Sequence, residues 1–158
     1  MDRKLFIKAL AKYLSGILMF SLLLFVPAGT LKFLNAWLLM GILFLPMLFA
    51  GIILIFKNPE LLQKRLNVKE TETQQKTVIL ISIMMFISGL IVAGLDYRYN
   101  WSAIPNWLVT AAVIIFLLGY LLYAEVLREN TYLSRTVEIQ ENQKVIDTGL
   151  YGVVRHPM

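Results

Sequence analysis

The sequence has 158 residues, 58% of them hydrophobic, with no cysteine, one histidine and a formal net charge of +5. That apolar share exceeds the roughly 45–50% of soluble globular chains, and a mean hydropathy of +0.69 agrees, so lipid is the expected solvent. The absence of cysteine excludes a disulfide framework, a thiolate metal site and a cysteine nucleophile, and a lone histidine argues against a histidine-based metal site.

Four stretches carry no charged residue: 13–31, 33–56, 77–95 and 107–124. At 1.5 Å per residue they reach roughly 27–36 Å, against a hydrocarbon core of about 30 Å. A charge at mid-helix costs about 2.5–3.5 kcal/mol on insertion scales, far more than one Leu or Ile returns, so charge-free runs of this length mark membrane spans. The fold class expected is therefore all-α integral membrane. A bundle over residues 1–127 has about four transmembrane helices, near 13–31, 33–56, 77–95 and 107–127, and a loop at 57–76; a short tail follows at 128–158.

Arg3, Lys4 and Lys8 precede the first run, as in a signal peptide, but no A-x-A-like cleavage site follows, and a retained helix is expected. Pro27 and Gly29 read as its termination, and Pro46 is expected to kink the second helix. The loop after it opens with Asn58 as a helix cap, Pro59 at the first helical position and Glu60 in the first turn. Leu61, Leu62 and Leu66 of that short helix either lie along the membrane surface, with Lys64 and Arg65 on anionic headgroups, or belong to a solvated connector.

The basic residues gather before the first run, between the second and third, and after the fourth; only Lys32 and Arg98 occupy the other two connections. This distribution reflects membrane topology rather than a nucleic-acid-binding face, and the positive-inside rule places both termini and the 57–76 loop in the cytoplasm. Tyr97, Tyr99, Trp101 and Trp107 then fall at the opposite interface, where amphipathic rings favour the headgroup layer. No ionisable residue interrupts a span, which argues against a proton relay or charged transport pathway. There is also no P-loop, dinucleotide fingerprint or H-E-x-x-H zinc motif.

Beyond the fourth run the chain turns polar. Val137 and Ile139, then Val145 and Ile146, flank a polar ENQ stretch in the manner of a short β-hairpin. Gly149 and Gly152 add backbone freedom, while Pro157 biases His156 away from helix and suits the first turn of a following one.

Three segments, NPELLQKRL, GLDYRYNWS with PNW, and ENTYLSRTVEIQENQKVIDTGLYGVVRHPM, resemble in order the isoprenylcysteine carboxyl methyltransferase family of membrane enzymes. A weaker similarity extends to phospholipid methyltransferases. The most specific element is G-x-Y-x-x-x-R-H-P, here Gly149, Tyr151, Arg155, His156 and Pro157. The resemblance implies methyl transfer from S-adenosylmethionine to a hydrophobic, membrane-embedded acceptor such as an isoprenylcysteine carboxylate or a lipid. It places the cofactor pocket on Gln140, on Gln143, Lys144, Val145 and Ile146, on Gly149 and Tyr151, and on Arg155, His156, Pro157 and Met158. It requires no metal and assigns no catalytic residue.

Chemically the set fits a ligand with a carboxylate, an ammonium, a sulfonium and an adenine. Tyr151 offers a ring and a hydroxyl, and Arg155 and His156 offer donors for a carboxylate, although Arg155 reads equally as a membrane-surface anchor. The family pattern continues after its proline with a tyrosine, a glycine, a further membrane helix and an acidic motif that this sequence lacks. Glu125 and Glu129 are no matched replacement and read as solvated charges at a helix end. The 158-residue polypeptide is therefore expected to bind the cofactor poorly and to transfer no methyl group; tight binding by calorimetry in detergent would contradict this. The alternative reading is a non-catalytic helical membrane protein, either a truncated relic or a scaffold for lipid or partner.

Overall fold

The computed structural model describes residues 3–66 and 73–129. They form five helices: α1 (Arg3–Ala28), α2 (Leu34–Lys57), the short α3 (Pro59–Leu66), α4 (Thr73–Tyr99) and α5 (Asn106–Glu129). No strand occurs among the described residues, and α1, α2, α4 and α5 are each long and apolar enough to cross a membrane. The residues proposed to form a hairpin lie outside the described residues.

Each charge-free run falls largely within one helix, but the helices extend past the runs. α1 begins at Arg3, ten residues before the expected start, and α4 spans from Thr73 through Asp96 and Arg98 to Tyr99. A charge-free run marks only the part of a helix that must sit in hydrocarbon, whereas propagation of the backbone ladder continues into the headgroup layer, where charged side chains stay solvated.

The turns have local causes. Gly29 sits at φ +69°, and its N–H donates to the carbonyls of Phe25 (3.0 Å) and Val26 (3.2 Å), ending α1 where Pro27 and Gly29 predict it. Asn100, at φ 51°, plays the corresponding part after α4, with the Trp101 N–H reaching back to the Asp96 carbonyl at 3.4 Å. Pro46 lies within α2, which continues on both sides of it.

α1 packs most extensively against α4 and also against α2, while α2 carries α3 and α5. The small core lies between α1 and α2, from Leu24, Phe25, Ala36, Met40 and Phe44. There the Phe44 ring meets the rings of Tyr13 and Phe20 edge-on, at centroid distances of 5.8 and 5.4 Å. α1 and α4 come close at Gly94, where a Cβ would stand 2.6 Å from the Leu24 carbonyl oxygen. Elsewhere the large apolar side chains point outward, among them Leu22, Phe49, Met85, Ile115 and Leu121. Such a surface suits lipid, in which a helix gains association energy from close packing and interhelical hydrogen bonds rather than from leaving water.

Candidate functional site

The antiparallel run of α1, α2, α4 and α5 gives the bundle two chemically different ends. One collects the start of α1, the end of α2, all of α3, the start of α4 and the end of α5. Its described residues include the basic side chains of Arg3, Lys4, Lys8, Lys12, Lys57, Arg65, Lys76 and Arg128, against the acidic ones of Glu60 and Glu125. The polar tail begins at this end, directly after α5.

α3 forms here for the reasons its sequence predicts. Asn58 accepts the Leu61 N–H on Oδ1 at 3.1 Å, Pro59 fills the first helical position, where no N–H is needed, and Glu60 complements the positive helix end. Leu61 and Leu62, however, are buried against the bundle instead of lying along the membrane surface. Packing against the end of α2 removes the membrane-surface arrangement and leaves the connector, with its leucines inside the protein and Glu60 and Gln63 outward.

α3 is also held at its far end from two sides. The Lys12 ammonium of α1 donates to the Leu66 carbonyl at 2.5 Å, where the last turn of a helix carries negative partial charge. The Arg65 guanidinium lies over the Tyr123 ring of α5, 5.0 Å from its centroid. α3 thus acts as a crossbar between the start of α1 and the last two turns of α5. In that part of α5, Val126 is buried and Arg128 pairs with Glu125 at 2.6 Å; both charges are partly exposed, so the pair contributes little to stability.

The opposite end is aromatic. Tyr97 stacks on Phe33 at 4.3 Å and its hydroxyl donates to the Lys32 carbonyl at 3.4 Å. Tyr99 stacks on Trp101 at 5.8 Å, with the Arg98 guanidinium 5.6 Å from the Tyr99 centroid. The Trp37 indole N–H donates to the Leu31 carbonyl at 2.9 Å, and Ser102 donates to Asp96 at 2.8 Å. Tyr97, Tyr99, Trp101 and Trp107 are exposed, as a belt of interfacial rings requires.

Between the two ends, uncharged polar side chains supply what the sequence reading did not single out. Tyr13 of α1 and Tyr120 of α5 donate to adjacent α2 carbonyls, Phe44 at 3.1 Å and Leu43 at 2.6 Å, just before Pro46. Pro46 does not account for them, since the donor it lacks is the one the Ile42 carbonyl four residues back would use; the tyrosines add a second bond to carbonyls whose helical donors are Met47 and Leu48, and no local pattern in the sequence marks them.

The residues assigned to a cofactor, Gln140, Gln143, Lys144, Val145, Ile146, Gly149, Tyr151, Arg155, His156, Pro157 and Met158, lie outside the described residues. What the described residues define is the platform from which that segment departs. Among them, no group of three His, Cys, Asp or Glu side chains comes together to hold a metal. No family model, curated protein or solved structure matches the chain.

Proposed function

We propose that the protein is a membrane methyltransferase that uses S-adenosylmethionine and acts on an acceptor embedded in the bilayer, an isoprenylcysteine carboxylate or another lipid. The observation that carries the reading is the string Gly149-x-Tyr151-x-x-x-Arg155-His156-Pro157, set in a polar tail directly after four apolar helices. The basic bias of the end from which the tail departs supports a cytoplasmic position for both termini, the side on which a soluble cofactor is supplied.

The cofactor supplies an electrophilic methyl group on a sulfonium. With the cofactor bound, the acceptor oxygen or nitrogen would bond to the methyl carbon as the carbon–sulfur bond broke, the electron pair leaving on sulfur. A carboxylate acceptor needs no proton removed, and no covalent enzyme nucleophile is required. The protein's share is alignment and exclusion of water. Arg155 and His156 carry donors suited to a carboxylate, and Tyr151 a ring and hydroxyl suited to an adenine wall.

The test is methyl incorporation from labelled S-adenosylmethionine into lipid and prenylated extracts of native membranes carrying the whole product of the chromosomal gene, as wild type, Tyr151→Ala or His156→Ala, and not the 158-residue polypeptide expressed alone. Incorporation that depends on the gene and falls at least tenfold in both variants is expected. Equal incorporation in all three membranes would sink the proposed site, and the identity of the labelled product names the acceptor.

A further inference from the structure

We infer that the basic end of the bundle is a binding surface for anionic phospholipid headgroups, and that it recognises them by charge rather than by inserting apolar side chains. The alternative mode, a short amphipathic helix dipping its leucines into the acyl region, is removed by the position of Leu61 and Leu62: they are 2% and 7% exposed and face the bundle. α3 itself exposes one carboxylate, Glu60, while the exposed cations stand on the long helices around it. Lys8, Lys57 and Lys76, on α1, α2 and α4, are all exposed.

Helix length sets their depth. The 26 residues of α1 extend about 39 Å, beyond a hydrocarbon core of about 30 Å, and the excess falls at the charged N-terminal turns. Lys12 stands at the edge of the apolar run with its ammonium on the Leu66 carbonyl, and Lys8 follows one turn farther out, at the level of headgroup phosphates. Lys57 ends α2 and Lys76 lies in the first turn of α4, so both fall in the same layer. The aromatic end offers no comparable field, with Lys32 and Arg98 accompanied by Asp96 among its described residues. A lipid phosphate at the basic end therefore meets several ammonium groups at once, each strengthening retention of anionic over zwitterionic lipid.

The experiment uses the purified chain reconstituted in phosphatidylcholine bilayers, with spin-labelled phosphatidylglycerol or phosphatidylcholine as probe and the association constant of the motionally restricted lipid as readout. Phosphatidylglycerol is expected to be preferred severalfold at low salt, with the preference falling as salt is raised. The triple variant Lys8→Gln/Lys57→Gln/Lys76→Gln should remove most of that preference, bringing the two association constants close to equality. The pair Lys32→Gln/Arg98→Gln should leave it in place, with retained helicity confirming that both variants fold. Equal association of the two lipids, a preference indifferent to salt, or equal loss in both variants would overturn the inference. None of these outcomes bears on methyl transfer, so this proposal and the enzymatic one stand or fall separately.

Discussion

The Tyr120 hydroxyl donates to the Leu43 carbonyl at 2.6 Å, joining α5 to α2. α5 is otherwise lightly packed, with none of its apolar window buried, so this bond is a large part of what holds it to the bundle. Tyr120→Phe keeps the ring, which lies 5.5 Å from Phe116, and removes only the donor. The expected loss is about 0.6 kcal/mol, the average for interhelical hydrogen bonds in membranes, and at most about 1.7. Reversible unfolding in mixed micelles measures it. An unchanged unfolding free energy would mean that the hydroxyl has an equally good partner elsewhere.

Gly94 makes the opposite kind of contact, one defined by the lack of a side chain. A Cβ there would stand 2.6 Å from the Leu24 carbonyl oxygen, 3.0 Å from Pro27 Cβ and 3.2 Å from the Ala28 nitrogen. Two of these neighbours are backbone atoms and cannot rotate away, so Gly94→Ala must push α1 and α4 apart. A cost of about 1–3 kcal/mol is expected, as for other overpacked sites. Gly89, on the same helix, has nothing within 4 Å of its added Cβ. Gly89→Ala should be neutral or gain up to about 1 kcal/mol from helix propensity. Thermal melts of the two variants in one detergent decide the matter: equal melting temperatures would exclude the close approach.

Gly29 tests the turn rather than the packing. Its φ of +69° is strained for any residue with a Cβ, and Gly29→Ala should cost roughly 1–2 kcal/mol. An added Cβ would also come 3.7 Å from the Arg98 guanidinium, an ordinary contact, so the cost is conformational. Gly29→Asn should be milder than Gly29→Ala, because Asn tolerates the left-handed region, as Asn100 does at φ 51° in this same chain. If Ala and Asn melt alike, the turn does not impose that conformation.

These sites show which parts of the structure are legible in the sequence. The four spans are, because hydrocarbon forbids charge over a fixed thickness and the runs from 13, 33, 77 and 107 meet that rule. So are the caps at Gly29 and Asn58, whose residue types carry their own backbone or hydrogen-bonding preference. The burial of Leu61 and Leu62 is not, because the same leucine spacing serves a membrane surface or a protein groove, and only the placement of α3 beneath α2 distinguishes them. Nor are the partners of Tyr13 and Tyr120, which join residues 31 and 77 positions apart in the chain. For the proposed cofactor segment, the sequence pattern from Gly149 to Pro157 supplies residue types and order, while the described residues supply only the helix end from which it leaves.

Asn58 offers the most local test of the crossbar. Its Oδ1 accepts the Leu61 N–H at 3.1 Å, and its carbonyl accepts the Leu62 N–H at 3.2 Å. Asn58→Ala removes the first bond and leaves the second, at an expected cost of about 1 kcal/mol to the first turn of α3. The burial of Leu61 and Leu62 and the grip of Lys12 on Leu66 are untouched by the change, so α3 should stay docked while its first turn opens more often. Hydrogen exchange at the Leu61 amide should then quicken by about fivefold, with the later amides of α3 nearly unchanged. Asn58→Asp, which keeps an acceptor in place, should restore protection. Uniformly faster exchange across α3 would instead show that the cap holds the whole helix against α2, and that the apolar contacts alone are too weak to keep it there.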